Sequence, residues 1–130
     1  VIVVDSSLLV NAFGSHGPLG VRSRLPLSGQ ELVAPFHVDL ETLSAWRRQL
    51  RLGELSTTEA GVAVETLREA PLWRIPHQSL LTRIWELRAN VTTADAAYIA
   101  MAEALSVPLL TADARLTRAP GTRCEFELID

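Results

Sequence analysis

Val1-Ile2-Val3-Val4-Asp5-Ser6-Ser7 is the stretch from which the fold is read. Four consecutive β-branched residues with no polar break suit a strand buried on both faces, the place of a central strand in a parallel sheet. A carboxylate follows at once. In open α/β sheets the carboxyl ends of the strands line the ligand crevice, so this strand delivers Asp5 to where chemistry is usually done. Asp also favours helix N-caps, and a helix beginning near Ser6 gives Asp5 that alternative role. A second strand-then-acid pattern, Leu109-Leu110-Thr111-Ala112-Asp113, repeats the arrangement late in the chain, and Asp95 opens the helix before it.

Working outward, Leu8, Leu9, Val10, Ala12 and Phe13 predict a short helix stopped by Gly14. Ser15 to Gly29 is rich in glycine and proline and reads as a loop with at most one helical turn, its Arg22 and Arg24 on a surface linker. Leu32-Val33-Ala34-Pro35 is a short strand. From His37 to Leu52, Leu40, Leu43, Trp46 and Leu50 recur at helical spacing and predict one buried stripe. Glu41 lies off that stripe, and Asp39 competes with it for any chemical role. Ser56 and Glu59 have capping-box spacing at the head of a helix running to about Glu69. Leu72 to Ile75 is a strand, Gln78 to Arg88 a helix, and Ala96 to Leu105 an alanine-rich helix. Asp113 to Thr117 forms one helical turn, and Cys124 to Leu128 alternates as an edge strand. Strands separated by helices imply right-handed crossovers, hence a parallel sheet with helices on both faces. The whole chain, residues 1–130, reads as one domain.

Composition narrows the chemistry. All 12 basic residues are Arg and none is Lys, which excludes Schiff-base catalysis and a Walker-type phosphate site. The single cysteine, Cys124, supports neither a disulfide framework nor a thiolate metal site. No 18-residue apolar run and no basic-then-apolar leader is visible, so a cytoplasmic protein without membrane association is expected. A net charge of −3 neither announces nor excludes a nucleic-acid partner.

If the strands ending at Asp5 and Asp113 are neighbours, Asp95 joins them at one edge of the sheet. Carboxylates gathered without basic partners repel one another and suffer raised pKa values unless a cation neutralises them. Hard oxygen ligands select Mg²⁺ or Mn²⁺, and such an ion acidifies water and stabilises a phosphodiester transition state. The spacing therefore points to metal-dependent phosphodiester hydrolysis. Each acid also has a structural alternative: Thr92 and Asp95 fit a capping box, and Asp113 suits an N-cap beside Thr111.

These residues carry a resemblance over nearly the whole chain. Val3-Val4-Asp5-Ser6-Ser7, Val38-Asp39-Leu40-Glu41-Thr42-Leu43 running into Arg47-Arg48, the Asn90, Thr92, Asp95-Ala96, Tyr98 series and Leu110-Thr111-Ala112-Asp113 together resemble the PIN domain, specifically VapC toxins of bacterial toxin–antitoxin pairs. The resemblance implies a three-layer α/β/α sandwich, Mg²⁺- or Mn²⁺-dependent RNA cleavage and inhibition by a cognate VapB-type antitoxin. By position it makes Asp5, Glu41, Asp95 and Asp113 the catalytic, metal-holding acids, which restores Glu41 to the site. Ser7 and Thr111 then orient acids through hydrogen bonds, and Asn90 and Thr92 hold the turn that aims Asp95. Ala94 departs from the aromatic residue that relatives often carry there. Arg47, Arg48, Arg115 and Arg118 are candidates for RNA phosphate contacts, with solvated surface roles as their alternative. The family also implies a homodimer, for which Leu55, Val62, Val64 and Leu67 offer a face, core packing being their other use. The implied antitoxin lays its C-terminal segment over a hydrophobic groove and reaches a cation into the acidic pocket.

Aspartyl phosphatases and receiver domains look for a lysine that this chain lacks, and a dinucleotide site needs a glycine-rich turn where Asp5-Ser6-Ser7-Leu8 stands. The alternative of another class is a catalytically silent PIN-fold binding module.

Overall fold

A computed structural model describes residues 1–130. Five strands, β1 (Ile2–Val4), β2 (Leu32–Pro35), β3 (Leu72–Ile75), β4 (Leu109–Thr111) and β5 (Phe126–Leu128), form one sheet in the order β3-β2-β1-β4-β5. Every neighbouring pair is parallel. As its unbroken apolar run implies, β1 is central and buried throughout.

Six helices flank the sheet: α1 (Ser6–Gly14), α2 (Pro18–Arg24), α3 (Val38–Arg51), α4 (Thr57–Glu69), α5 (Leu81–Glu86) and α6 (Thr93–Leu105). Helix α1 packs on α2, α3 and α4, while α6 packs on α5 and lies against β1, β2 and β4. These are the two outer layers of the expected α/β/α sandwich. The sequence of α6 explains its place: an apolar run from Ala96 to Ala102, buried all round, suits a helix pressed flat on the sheet. Small alanines bring its backbone close to the strands.

Local signals act as their chemistry dictates. Ser56 and Glu59 form the reciprocal capping box, with Ser56 N donating to Glu59 at 2.9 Å and Glu59 N to the Ser56 hydroxyl at 3.1 Å. Asp39, the competitor to Glu41, is instead held by Arg74 in a two-pronged pair of 2.9 and 3.0 Å. The same guanidinium donates to Leu67 O at the end of α4 and to Leu72 O in β3.

Three expectations need correction, and at Leu55 and Leu67 the core-packing alternative holds. Ser15 to Gly29 is not a loop: it contains α2 and a 3₁₀ turn, Leu25–Leu27. Pro18 sits in the first turn, where a missing N–H is harmless, and Arg24 donates to Ala12 O and Ser15 O at 2.8 and 3.1 Å, closing the end of α1. The buried stripe of α3 is Val38, Thr42 and Trp46, whereas Leu40 and Leu50 are exposed. Thr42 takes an inward position because its hydroxyl donates to Val38 O at 2.7 Å, and a search for apolar residues passes over it. The helix expected from Gln78 to Arg88 begins as a 3₁₀ turn, Gln78–Leu80, and ends at Glu86. On α4, Leu67 is in the core, as is Leu55 just before it, so of the suggested dimer face only Val62 and Val64 are exposed.

Candidate active site

The strand order reverses between β1 and β4: β2 and β3 extend the sheet on one side of β1, while β4 and β5 extend it on the other. Such a switch point opens a crevice at the carboxyl ends of the two strands. Asp5 follows β1 and Asp113 follows β4 within two residues. The first turns of α3 and α6 contribute Glu41 and Asp95. Asp5 N-caps α1, so three of the four acids stand at helix N-termini, where the positive dipole end offsets part of their repulsion.

Asp5 is the fixed point. Only 3 % of it is exposed, and its two alternative roles prove compatible, because it caps α1 while facing the crevice edge. Oδ1 accepts from the Ser7 hydroxyl at 2.7 Å and from Leu8 N at 3.1 Å, and Oδ2 accepts from the Thr111 hydroxyl. Each hydroxyl has one proton and gives it to Asp5; its lone pairs then accept backbone N–H groups, Ala112 N on Ser7 at 2.9 Å and Asp113 N on Thr111 at 3.0 Å. The network thus sews the end of β1 to the end of β4. Burial pushes the Asp5 carboxyl up to about 6 against these hydrogen bonds, and Asp95 adds repulsion.

Asp95 is the electrostatic hub. Its carboxyl is raised first by burial and then by Glu41, with a further contribution from Asp113. Together with its effect on Asp5, it senses all three of the other acids. Thr92 caps α6 by accepting Asp95 N at 3.2 Å. Asn90 ties the preceding turn to the loop before β5, its amide donating to Pro120 O at 2.9 Å.

Sequence reasoning missed the surroundings of Glu41. Tyr98, fully buried, donates its hydroxyl to Glu41 Oε1 at 2.6 Å, and Ser6 donates at 3.4 Å. His37 Nε2 lies 3.5 Å from the same oxygen. Burial and the Glu41 carboxylate hold the Tyr98 phenol far above its usual range. The signal was spacing: His37 is one helical turn before Glu41, and Tyr98 one turn after Asp95.

As the side chains stand, no three of these groups close into a ready ligand cluster. Glu41 Oε1 is turned to Tyr98, and Asp113 Oδ1 accepts Arg115 N at 2.9 Å and meets its guanidinium at 3.5 Å. Arg47, Arg48, Arg115 and Arg118 are all exposed, the first two about two turns along α3 from Glu41. No helix is long and apolar enough to cross a membrane.

The PIN domain model matches residues 2–121. Ribonuclease VapC1 of Mycobacterium tuberculosis is 40% identical over 128 residues, covering 98% of this chain and 96% of its own. The crystal structure of VapC20 of Mycobacterium tuberculosis, a sarcin–ricin loop cleaving toxin, superposes with a TM-score of 0.68 at 20% identity, covering 95% of this chain and 97% of that one. VapBC2 from Rickettsia felis, solved bound to a DNA fragment from its promoter, aligns with a TM-score of 0.56 at 14% identity over 99% and 98% of the two chains. Carboxylates coupled at the switch point, a family model spanning almost every residue and relatives matched over nearly their whole length agree: the chain belongs to the VapC branch of the PIN domain family.

Proposed function

We propose that the chain is a divalent-metal-dependent endoribonuclease, acting in the cytoplasm as the toxin of a pair and restrained by a cognate VapB-type antitoxin. The observation that carries this reading is the electrostatic coupling of Asp5, Glu41 and Asp113 through Asp95. Carboxylate oxygens without thiolates suit Mg²⁺ or Mn²⁺, and a cation would offset the repulsion that Glu41 and Asp113 add to the burial of Asp95. A cation bound there would acidify water and offset the charge of the phosphodiester transition state. The activity named for VapC1 and the cleavage named for VapC20 support RNA as the substrate.

The chain's own residues do the rest. Ser7 and Thr111 fix both oxygens of Asp5, Tyr98 and Ser6 steady Glu41, and Thr92 starts α6 so that Asp95 faces the crevice. Arg47, Arg48, Arg115 and Arg118 are proposed to meet phosphates around a pocket that would otherwise repel RNA. A narrow crevice favours a splayed single strand over a duplex. The VapBC2 pairing supports an antitoxin partner. We also propose that two copies pair, using apolar side chains other than Leu55 and Leu67.

Purified protein incubated with mixed RNA is expected to cleave it with Mg²⁺ or Mn²⁺ and to stop in EDTA. Equal cleavage in every sample, or none in any, overturns the reading. Tyr98→Phe removes the 2.6 Å bond and is expected to lower kcat about tenfold with little change in KM, read by steady-state kinetics on one oligonucleotide. An unchanged kcat would deny Tyr98 its positioning role.

A further inference from the structure

On the face of α6 next to the one carrying Asp95 and Tyr98 lies a cavity of about 280 Å³, its wall including His37, His77, Leu81, Ile84, Ala94 and Ala97. Sites for drug-sized ligands run from about 300 to 1,000 Å³, so this one suits a single planar heterocycle. The two alanines leave the space, and Leu81 and Ile84 supply an apolar floor.

The cavity's wall includes His77, whose Nδ1 is the one buried side-chain polar atom in the chain with no hydrogen-bond partner and is closed to solvent as the ring stands. An unpaired buried group of this kind is destabilising and calls for an explanation. His37 makes the neighbouring wall rigid. Its Nε2 donates to Ala94 O at 2.9 Å, since a carbonyl can only accept, and its ring packs 4.7 Å from Tyr98 and edge-on to His77 at 6.0 Å. The same Nε2 is 3.5 Å from Glu41 Oε1, so the cavity and the acidic crevice share a wall.

We propose that this cavity receives one nucleobase of the RNA, adjacent to the phosphate being cut, and that the His77 ring turns to set Nδ1 against its edge. The proposal rests on the endoribonuclease reading, because a phosphate held at the carboxylates brings its flanking bases to the cavity's rim. Proteins read single-stranded RNA by splaying bases onto aromatic rings, histidine among them, and hydrogen-bonding their edges. His77 is then a specificity residue, and its unpaired nitrogen is satisfied when substrate arrives.

The test uses the full chain with ¹⁵N-labelled histidine, in EDTA, titrated separately with adenosine, cytidine, guanosine and uridine. The His77 ring nitrogens are expected to shift with one or two of the four, while the exposed His16 stays still. His77→Phe, which keeps a ring without Nδ1, and Ala94→Leu, which fills the space, both abolish the selective shift. With Mg²⁺ and a randomised RNA, His77→Phe loses roughly tenfold discrimination at one position beside the cut. No shift, or equal shifts with all four nucleosides, overturns the proposal. So does a His77 signal that responds to protein concentration alone, which would mean that a second copy covers the cavity. Selective nucleoside binding without RNA cleavage under any metal upholds the cavity and defeats the endoribonuclease reading instead.

Discussion

Asp5→Asn is expected to abolish RNA cleavage and, in EDTA at pH 7, to make the protein more stable than the parent. The two effects share one cause. Burial raises the Asp5 carboxyl to about 6, so the folded state prefers it protonated. A raised acid contributes its full stability below the unfolded pKa, near 4, and loses that contribution as pH climbs through the folded value, about 6. Above that the metal-free parent carries a buried, repelled negative charge. About two pKa units correspond to about 3 kcal/mol, of which on the order of 2 should reappear in the variant, a rise in Tm of roughly 5–10 °C. Asparagine fits: its oxygen can accept from Ser7 and Leu8 N, and its amide can donate to the Thr111 hydroxyl, which turns its own proton away. Thermal melts from pH 4 to 8 check this. The gap between variant and parent should close at pH 4 and widen to pH 7, and Mn²⁺ should stabilise only the parent. Cleavage should fall at least about a thousandfold. A variant less stable than the parent at pH 7 would refute the electrostatic account.

Gly20→Ala is expected to destabilise the fold by about 3 kcal/mol, although it adds one methyl group to a short helix. Alanine usually favours helices, so the expected sign opposes intrinsic propensity. A Cβ at Gly20 would stand 2.0 Å from Ser15 O and 2.9 Å from Arg24 Nη1. The first is backbone and cannot step aside, and the second belongs to the guanidinium that closes α1. Chemical denaturation of the two proteins measures the difference, and a neutral or stabilising result would show that α2 does not pack so closely. Gly17→Ala, with open space around its missing Cβ, is the matched control.

How far the sequence can be read depends on what kind of force shaped each segment. An uninterrupted apolar run such as Ile2–Val4 or Leu109–Leu110 has one comfortable place in a sheet, and the acids after it inherit that place. Capping chemistry at Ser56 and Glu59 is local and was legible outright. Helix α2 was not, because its one glycine, Gly20, serves close approach to the end of α1 rather than chain reversal, a reason visible only when Ser15 O is in position. The α3 stripe was misplaced for a related cause: Thr42 hides its polarity in a bond to its own helix, while Leu40 is left outside. Among the acids, nothing along α3 chose between Asp39 and Glu41. The choice lies with Arg74, 35 residues after Asp39, which engages it and leaves Glu41 to Tyr98. The orienting hydroxyls of Ser7 and Thr111 were expected from family likeness, not from spacing: Thr111 is 106 residues from Asp5, and Ser7, only two away, had no mark to set it apart from Ser6.

The Arg74 guanidinium grips Asp39, Leu67 O and Leu72 O at once, and its planar fork is the only side chain with donors enough to do so. It therefore couples the fraying of an outer strand to the footing of α3. Local opening at β3 is expected to loosen the first turn of α3, which carries Glu41, so hydrogen exchange at the two should rise together. A nuclease built this way guards the aim of Glu41 with the mechanics of its edge.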